Sequence, residues 1–191
     1  MSPAWLLALD RRAPDMVAVW RSVDDGMIAC RRELRRRTPT GSAPEILEQA
    51  EGVADALADV LEAMPAEALR LPGGEADWNV AQAFAHTTGA RRYLAMVGAA
   101  AAAGQWPDRP FEITPGVPGP ADIGVEQLRT LLAKSRRSMA ASAAAITGHE
   151  TDACPVDHPL VGHRLRCGEW LLFTGVHDLM HLEQLHRIAG G

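Results

Sequence analysis

Apolar residues along the chain recur at three- and four-residue intervals, the spacing of helix faces rather than strands. Met16, Val19, Trp20, Val23, Met27 and Leu34 predict a helical segment over residues 12 to 37, which Pro14 and Gly26 weaken. Thr38 to Pro44, with Pro39, Gly41 and Ser42, reads as a break. A helix follows from about Pro44 to Met64, with Ile46, Leu47, Val53, Leu57, Val60 and Leu61 on one stripe and the capping-box pair Ser42 and Glu45 at its start. The next helix opens at Asn79, capped with help from Gln82, and runs to about Ala103. Its inward stripe is Val80, Ala83, His86, Thr87, Ala90, Leu94 and Val97. Asp122, as a cap, starts a helix reaching Thr147 through Val125, Leu128, Leu132, Met139 and Ile146. The last helix spans about Arg166 to Ile188 and stops at Gly190. On its stripe of Trp170, Phe173, His177, His181, Gln184 and Ile188, three polar residues occupy positions where apolar ones are expected.

This pattern predicts an all-α protein: a four-helix bundle over residues 42–190, preceded by an N-terminal extension, residues 1–40, that adds an extra helix. Residues 104 to 121 hold Pro107, Pro110, Pro115, Pro118 and Pro120, a composition that cannot continue a helix. Extended, these residues reach up to roughly 60 Å, enough for a crossover that lets successive helices run parallel. The stretch with His149, Cys154, Pro155, His158, Pro159 and Gly162 is too long for a simple turn and is expected to cover part of the bundle.

Composition narrows the function classes. Hydrophobic residues make up 47% and aromatics 5%, with alanine abundant, which favours closely packed helices over an aromatic-rich sheet. The net charge of −5 gives no overall attraction to phosphate backbones or anionic lipid, so neither nucleic acid nor a membrane is an expected partner. Residues 1 to 40 alone are basic, and the run Arg31, Arg32, Arg35, Arg36, Arg37 reads as a solvated helix face. Cys30, Cys154 and Cys167 are far apart, odd in number and without a C-x-x-C pair, which indicates neither a disulfide framework nor a thiolate zinc site. With no signal-like segment and no long apolar run, the expected location is the cytoplasm.

The chemistry concentrates on histidine. His177 and His181 are four apart on one helix, about 40° from each other around its axis, so both imidazoles can meet one ion. A catalytic zinc site takes three protein ligands and leaves a position for water; His86, on the core stripe of another helix, is the third candidate. Unpaired imidazoles on buried stripes are costly, which favours a metal over an isolated pair. Gln184 is placed to orient a ligand or hydrogen-bond a bound water, or equally to satisfy polar groups of the core. Asp178 reads as an outward salt-bridge partner, and Glu169 and His158 as mainly structural. No Ser-His-Asp set, phosphate loop or paired carboxylates emerge.

Asp77-Trp78-Asn79-Val80 with Ala85-His86, then His158-Pro159-Leu160-Val161-Gly162, Glu169-Trp170, and His177-Asp178-Leu179-Met180-His181 with Gln184 resemble, in order and spacing, the DinB-like superfamily. The resemblance covers about residues 42 to 188. It implies an up-down-down-up bundle with a metal on three histidines, which map onto His86, His177 and His181. It also implies metal-dependent hydrolases, or transferases that use bacillithiol, mycothiol or glutathione. The expected function is therefore activation of a low-molecular-weight thiol or water, for transfer to or hydrolysis of a small electrophilic substrate. The alternative is a non-enzymatic, stress-related bundle that binds metal or a small ligand. Zinc leads the candidate divalent ions, with nickel or iron next, since imidazole suits them all. Pairing through exposed helix faces, including Trp20 and Met27, predicts a homodimer.

Overall fold

The computed structural model describes residues 3–74, 77–106 and 116–189. The chain is mostly helical, and its four long helices are α4 (Ala43–Ala63), α5 (Val80–Ala102), α6 (Val125–Ile146) and α7 (Cys167–Ala189). Both α6 and α7 pack against α4 and against α5, so α4 and α5 take opposite corners of an all-α bundle. Gly98, near the end of α5, lies against the Cys167 carbonyl and Trp170 at the start of α7. At the other end of the bundle, Gln184 of α7 reaches the Gly73 carbonyl in the turn before α5. Trp170, Phe173, Leu57, Leu61, Phe84, Leu128, Met139 and Ile146 fill the space between the helices and are almost fully buried. Among the described residues no helix is long and apolar enough to cross a membrane. Pro107, Pro110, Pro115 and the Gly190 stop lie outside the described residues.

The N-terminal region is not one extra helix but three: α1 (Ala4–Arg12), α2 (Pro14–Ser22) and α3 (Met27–Arg36). The two residues that weaken the periodicity are where it breaks. Pro14 cannot donate into a preceding turn and instead opens α2. Gly26 takes φ of 96°, a conformation unfavourable for other residues, just before α3. These helices dock onto the bundle, and Met16 and Val19 of α2 are fully buried. Docking depends on Gly175 of α7, where any Cβ would collide with the Met16 side chain. Gln49 of α4 accepts the Asp15 N–H at 2.9 Å and donates to the Asp15 carboxylate at 2.7 Å, tying down the start of α2. Trp20, expected on a pairing face, packs edge-on against Trp5 with ring centres 6.4 Å apart. The basic face of α3 carries ion pairs, with Arg36 on Glu33, Arg37 on Asp15 and Arg35 on Glu169.

Helix starts follow the expected chemistry at one point and depart from it at two. Asn79 and Gln82 form a true capping box: the Gln82 N–H donates to Asn79 Oδ1 at 2.9 Å, and Asn79 N–H donates to Gln82 Oε1 at 3.0 Å. Ser42 makes no capping bond; the buried carboxylate of Glu150, distant in sequence, accepts the Ala43 N–H at 3.1 Å instead. Asp122 is not the cap of α6, which begins after Gly124 with the Gln127 side chain accepting the Gly124 N–H at 2.8 Å. At α7 the N–H groups of Cys167 and Gly168 donate to the carbonyls of Asp152 and Glu150, both at 2.9 Å, so no Ser or Thr cap is needed. Those carbonyls come from the connection before α7, which also forms a small antiparallel hairpin of β1 (Ala153–Asp157) and β2 (Arg164–Arg166). The sequence reading has no strand there, because three to five residues are too few to show a two-residue period.

Candidate metal centre

His177 and His181 are on the inward stripe of α7 and keep only 8% and 7% of their surface exposed. Their Nε2 atoms are 3.3 Å apart. His86 arrives from α5, half-buried, with its ring centre 5.3 Å from that of His177 and 5.0 Å from that of His181. One nitrogen from each of the three rings lies within 4.8 Å of the others, and these residues could hold a metal ion. The three rings anticipated from the stripes are thus brought together.

Hydrogen bonds set which nitrogens face inward. His86 Nδ1 is 2.7 Å from the carbonyl oxygen of Val117, which can only accept, so Nδ1 carries the proton and Nε2 a lone pair. His181 Nδ1 is 2.8 Å from Gln184 Oε1. The Gln184 amide is oriented by donating its N–H to the Gly73 carbonyl, so its oxygen accepts from His181 Nδ1, while Nε2 of that ring is the nitrogen that faces His177. Burial, followed by the neighbouring His181, His86 and His158, holds the His177 pKa well below the ordinary imidazole value. His177 is therefore neutral at pH 7, the form that ligates metal.

The donor set fits a divalent ion. With Zn–N bonds of about 2.05 Å at tetrahedral angles, two ligand nitrogens stand about 3.3 Å apart. The observed separation of the His177 and His181 Nε2 atoms is 3.3 Å. The buried Nδ1 of His177 has no hydrogen-bond partner. Both candidate rings supported by a second group, His86 and His181, use a carbonyl or amide acceptor on Nδ1, the usual way a ligating imidazole is fixed in tautomer and tilt.

Beside the rings opens a cleft of about 910 Å³. Ala85, Gly89 and Ala90 of α5 give it width, since small side chains surround His86 there, and Gly89 has open space where a Cβ would stand. Val117 and Pro118, at the end of the crossover, and Leu160, after β1, supply apolar walls. Gly119 holds that end of the crossover against α5, where a Cβ would strike Ala85. Trp78 backs His86, with ring centres 4.9 Å apart. The connection expected to cover part of the bundle does so at the cleft wall, through His158, Pro159 and Leu160.

One polar residue takes a place the sequence reading does not give it. Asp178 does not face outward: it is fully buried and paired with the fully buried Arg91 of α5, whose Nη2 also donates to the Ala50 carbonyl at 2.8 Å. Its helical position reads as outward only if nothing covers that face, and α5 does. Burial outweighs the Arg91 charge and raises the Asp178 pKa to about 6. Glu169 is structural, bonded to Arg35 at 3.2 Å and to the Arg166 N–H at 2.9 Å. His158 is 1% exposed and packed against Trp170 and Phe173, with ring centres 4.6 and 4.5 Å away and planes inclined at 46° and 66°. Burial pushes its pKa down to about 4. The supporting roles of Val117 and Gly73 were invisible in the sequence because both act through backbone carbonyls, which any residue carries.

An all-α bundle in which histidines from two helices could hold one metal ion at the base of a cleft defines the class of this protein. The family model of the DinB superfamily matches residues 49–185, and the chain belongs to that superfamily. No curated protein and no solved structure matches it.

Proposed function

We propose that the chain is a metal-dependent enzyme that activates a low-molecular-weight thiol or water for transfer to, or hydrolysis of, a small electrophilic substrate. His86, His177 and His181 are its ligands, residues 42–190 its bundle and residues 1–40 an extension. The observation that carries this reading is that, among the described residues, the candidate cluster contains three histidines and opens on a cleft, where a structural site would be closed by a fourth protein ligand. A divalent ion there would act as a Lewis acid, bringing the pKa of a bound water or thiol towards neutrality.

The chain's own residues supply the rest. His177 stays unprotonated because it is buried among other imidazoles. Gln184 and the Val117 carbonyl hold the Nδ1 protons of His181 and His86 and keep both Nε2 lone pairs directed inward. Ala85, Val117, Pro118 and Leu160 give the cleft apolar walls beside the rings. Zinc is the first choice of ion, with nickel or iron next, because neutral imidazole binds all three.

Metal analysis tests the ligand set: the native protein should retain about one ion per chain after gel filtration, and His181→Ala should lose it. Full occupancy in that variant would remove His181 from the site. Titration of the cobalt-substituted protein with a small thiol separates an enzyme from a metal-binding bundle. An open position predicts a change in the visible spectrum, and an unaltered spectrum favours the non-enzymatic reading.

A further inference from the structure

Cysteine spacing gives no reason to pair any two thiols, yet the fold brings two of them into contact. Cys154 lies in β1 and Cys167 is the first residue of α7, and their Sγ atoms are 3.8 Å apart. The arrangement is built into the backbone. Ala153 pairs with Arg166 across the hairpin, and the Cys167 N–H donates to the Asp152 carbonyl at 2.9 Å, so residues 154 and 167 are held side by side. Both side chains are buried, at 1% and 0% exposure.

We propose that Cys154 and Cys167 are an oxidisable pair that a peroxide converts into a disulfide linking β1 to the start of α7. This does not depend on the metal reading. The two sulfurs need close by less than 2 Å to reach a disulfide bond of about 2.05 Å, a motion within the reach of side-chain rotation. Their roles differ. The N-terminus of α7 favours a negative charge on Cys167. The hydrogen bond from the Cys154 thiol lowers the Cys167 pKa, while the same contact and burial raise that of Cys154. Cys167 is thus the attacking thiolate and Cys154 the resolving thiol. Its Sγ takes one peroxide oxygen, the O–O bond breaks, and hydroxide leaves and is protonated to water. The Cys167 sulfenic acid is then attacked by Cys154 Sγ: the S–S bond forms, the S–O bond breaks, and the hydroxyl leaves as water with the Cys154 proton. Each sulfur is oxidised by one electron, and the two peroxide oxygens are reduced to two waters.

Access comes through the hairpin, whose two short strands form the whole sheet and open locally at little cost. Oxidation should therefore be slower than that of an exposed thiol.

The test uses the intact native chain, treated with excess hydrogen peroxide, denatured, alkylated and mapped by mass spectrometry. The expected result is a linked pair of peptides containing Cys154 and Cys167, lighter by two hydrogens and separated by reductant, with Cys30 still alkylated. In Cys154→Ser, dimedone should label Cys167 instead. Alkylation of all three thiols after peroxide, sulfinic or sulfonic acids with no link, or a link through Cys30 would each overturn the proposal. So would a folded chain that yields the same mixture of cysteine pairings as the chain in urea.

Discussion

Gln184 accepts a hydrogen bond from His181 Nδ1 at 2.8 Å through its amide oxygen and donates to the Gly73 carbonyl through its amide nitrogen. One side chain thus ties the tautomer of a candidate ligand to the turn preceding α5. Gln184→Leu removes both bonds at similar volume. Loss of such a supporting group commonly weakens metal binding about 10–100-fold. Competition with a chromophoric chelator should show that loss, with the helical circular dichroism unchanged. Undiminished affinity would make Gln184 a packing residue only.

Arg91 and Asp178 are both fully buried, and their pair joins α5 to α7. Removing Asp178 takes away the buried Arg91's close partner and leaves it only the Glu51 carboxylate as counter-charge, 3.9 Å from Nη2. Asp178→Ala should therefore lower unfolding free energy by about 3–5 kcal/mol in urea denaturation. The double variant Arg91→Met with Asp178→Leu removes both charges and should recover most of that loss. If the double variant were as unstable as the single one, the damage would lie in packing rather than in the charge.

The start of α4 allows a sharper comparison. The Ser42 and Glu45 spacing points to a capping box, but the Ser42 hydroxyl is buried without a partner, and Glu150 binds the Ala43 and Gly148 N–H groups at 3.1 and 3.0 Å. Glu150→Ala is expected to cost about 1–3 kcal/mol, mainly by leaving the buried Ala43 N–H unpaired. Ser42→Ala should change stability by less than about 0.5 kcal/mol. Thermal melts of the two variants check the order, which the local-cap view reverses.

The same contrast shows what the sequence makes legible. Helix faces, the Asn79–Gln82 cap and the pairing of His177 with His181 follow from local spacing, because a stripe of core positions fixes which way a side chain turns; that His86 meets them depends on α5 packing against α7. Partners supplied by a distant segment do not: Glu150 at α4, Arg91 beside Asp178, and Cys154 against Cys167 depend on which helices become neighbours. The N-terminal break was visible at Pro14 and Gly26, but the docking of α2 turns on Gly175, a residue whose missing side chain carries no periodic signal.

His158 offers the last test, on pH. Its folded pKa is about 4, pushed down by burial against Trp170 and Phe173. The unfolded value is about 6.5. As pH falls below that unfolded value, the unfolded chain takes up a proton that the folded chain refuses, so the stability attached to a neutral His158 is complete above about pH 6.5 and is lost progressively towards pH 4. Asp178, raised to about 6, acts in the opposite sense over part of this window, so a single stability curve would mix the two. The difference between metal-free wild type and His158→Gln isolates the imidazole. Going from pH 7.5 to 4.5, the wild type should lose about 2–3 kcal/mol more than the variant in urea titrations. Parallel curves would mean that the folded protein accommodates a charged His158, and the ring would then have a water-accessible position that its packing against two aromatic side chains does not provide.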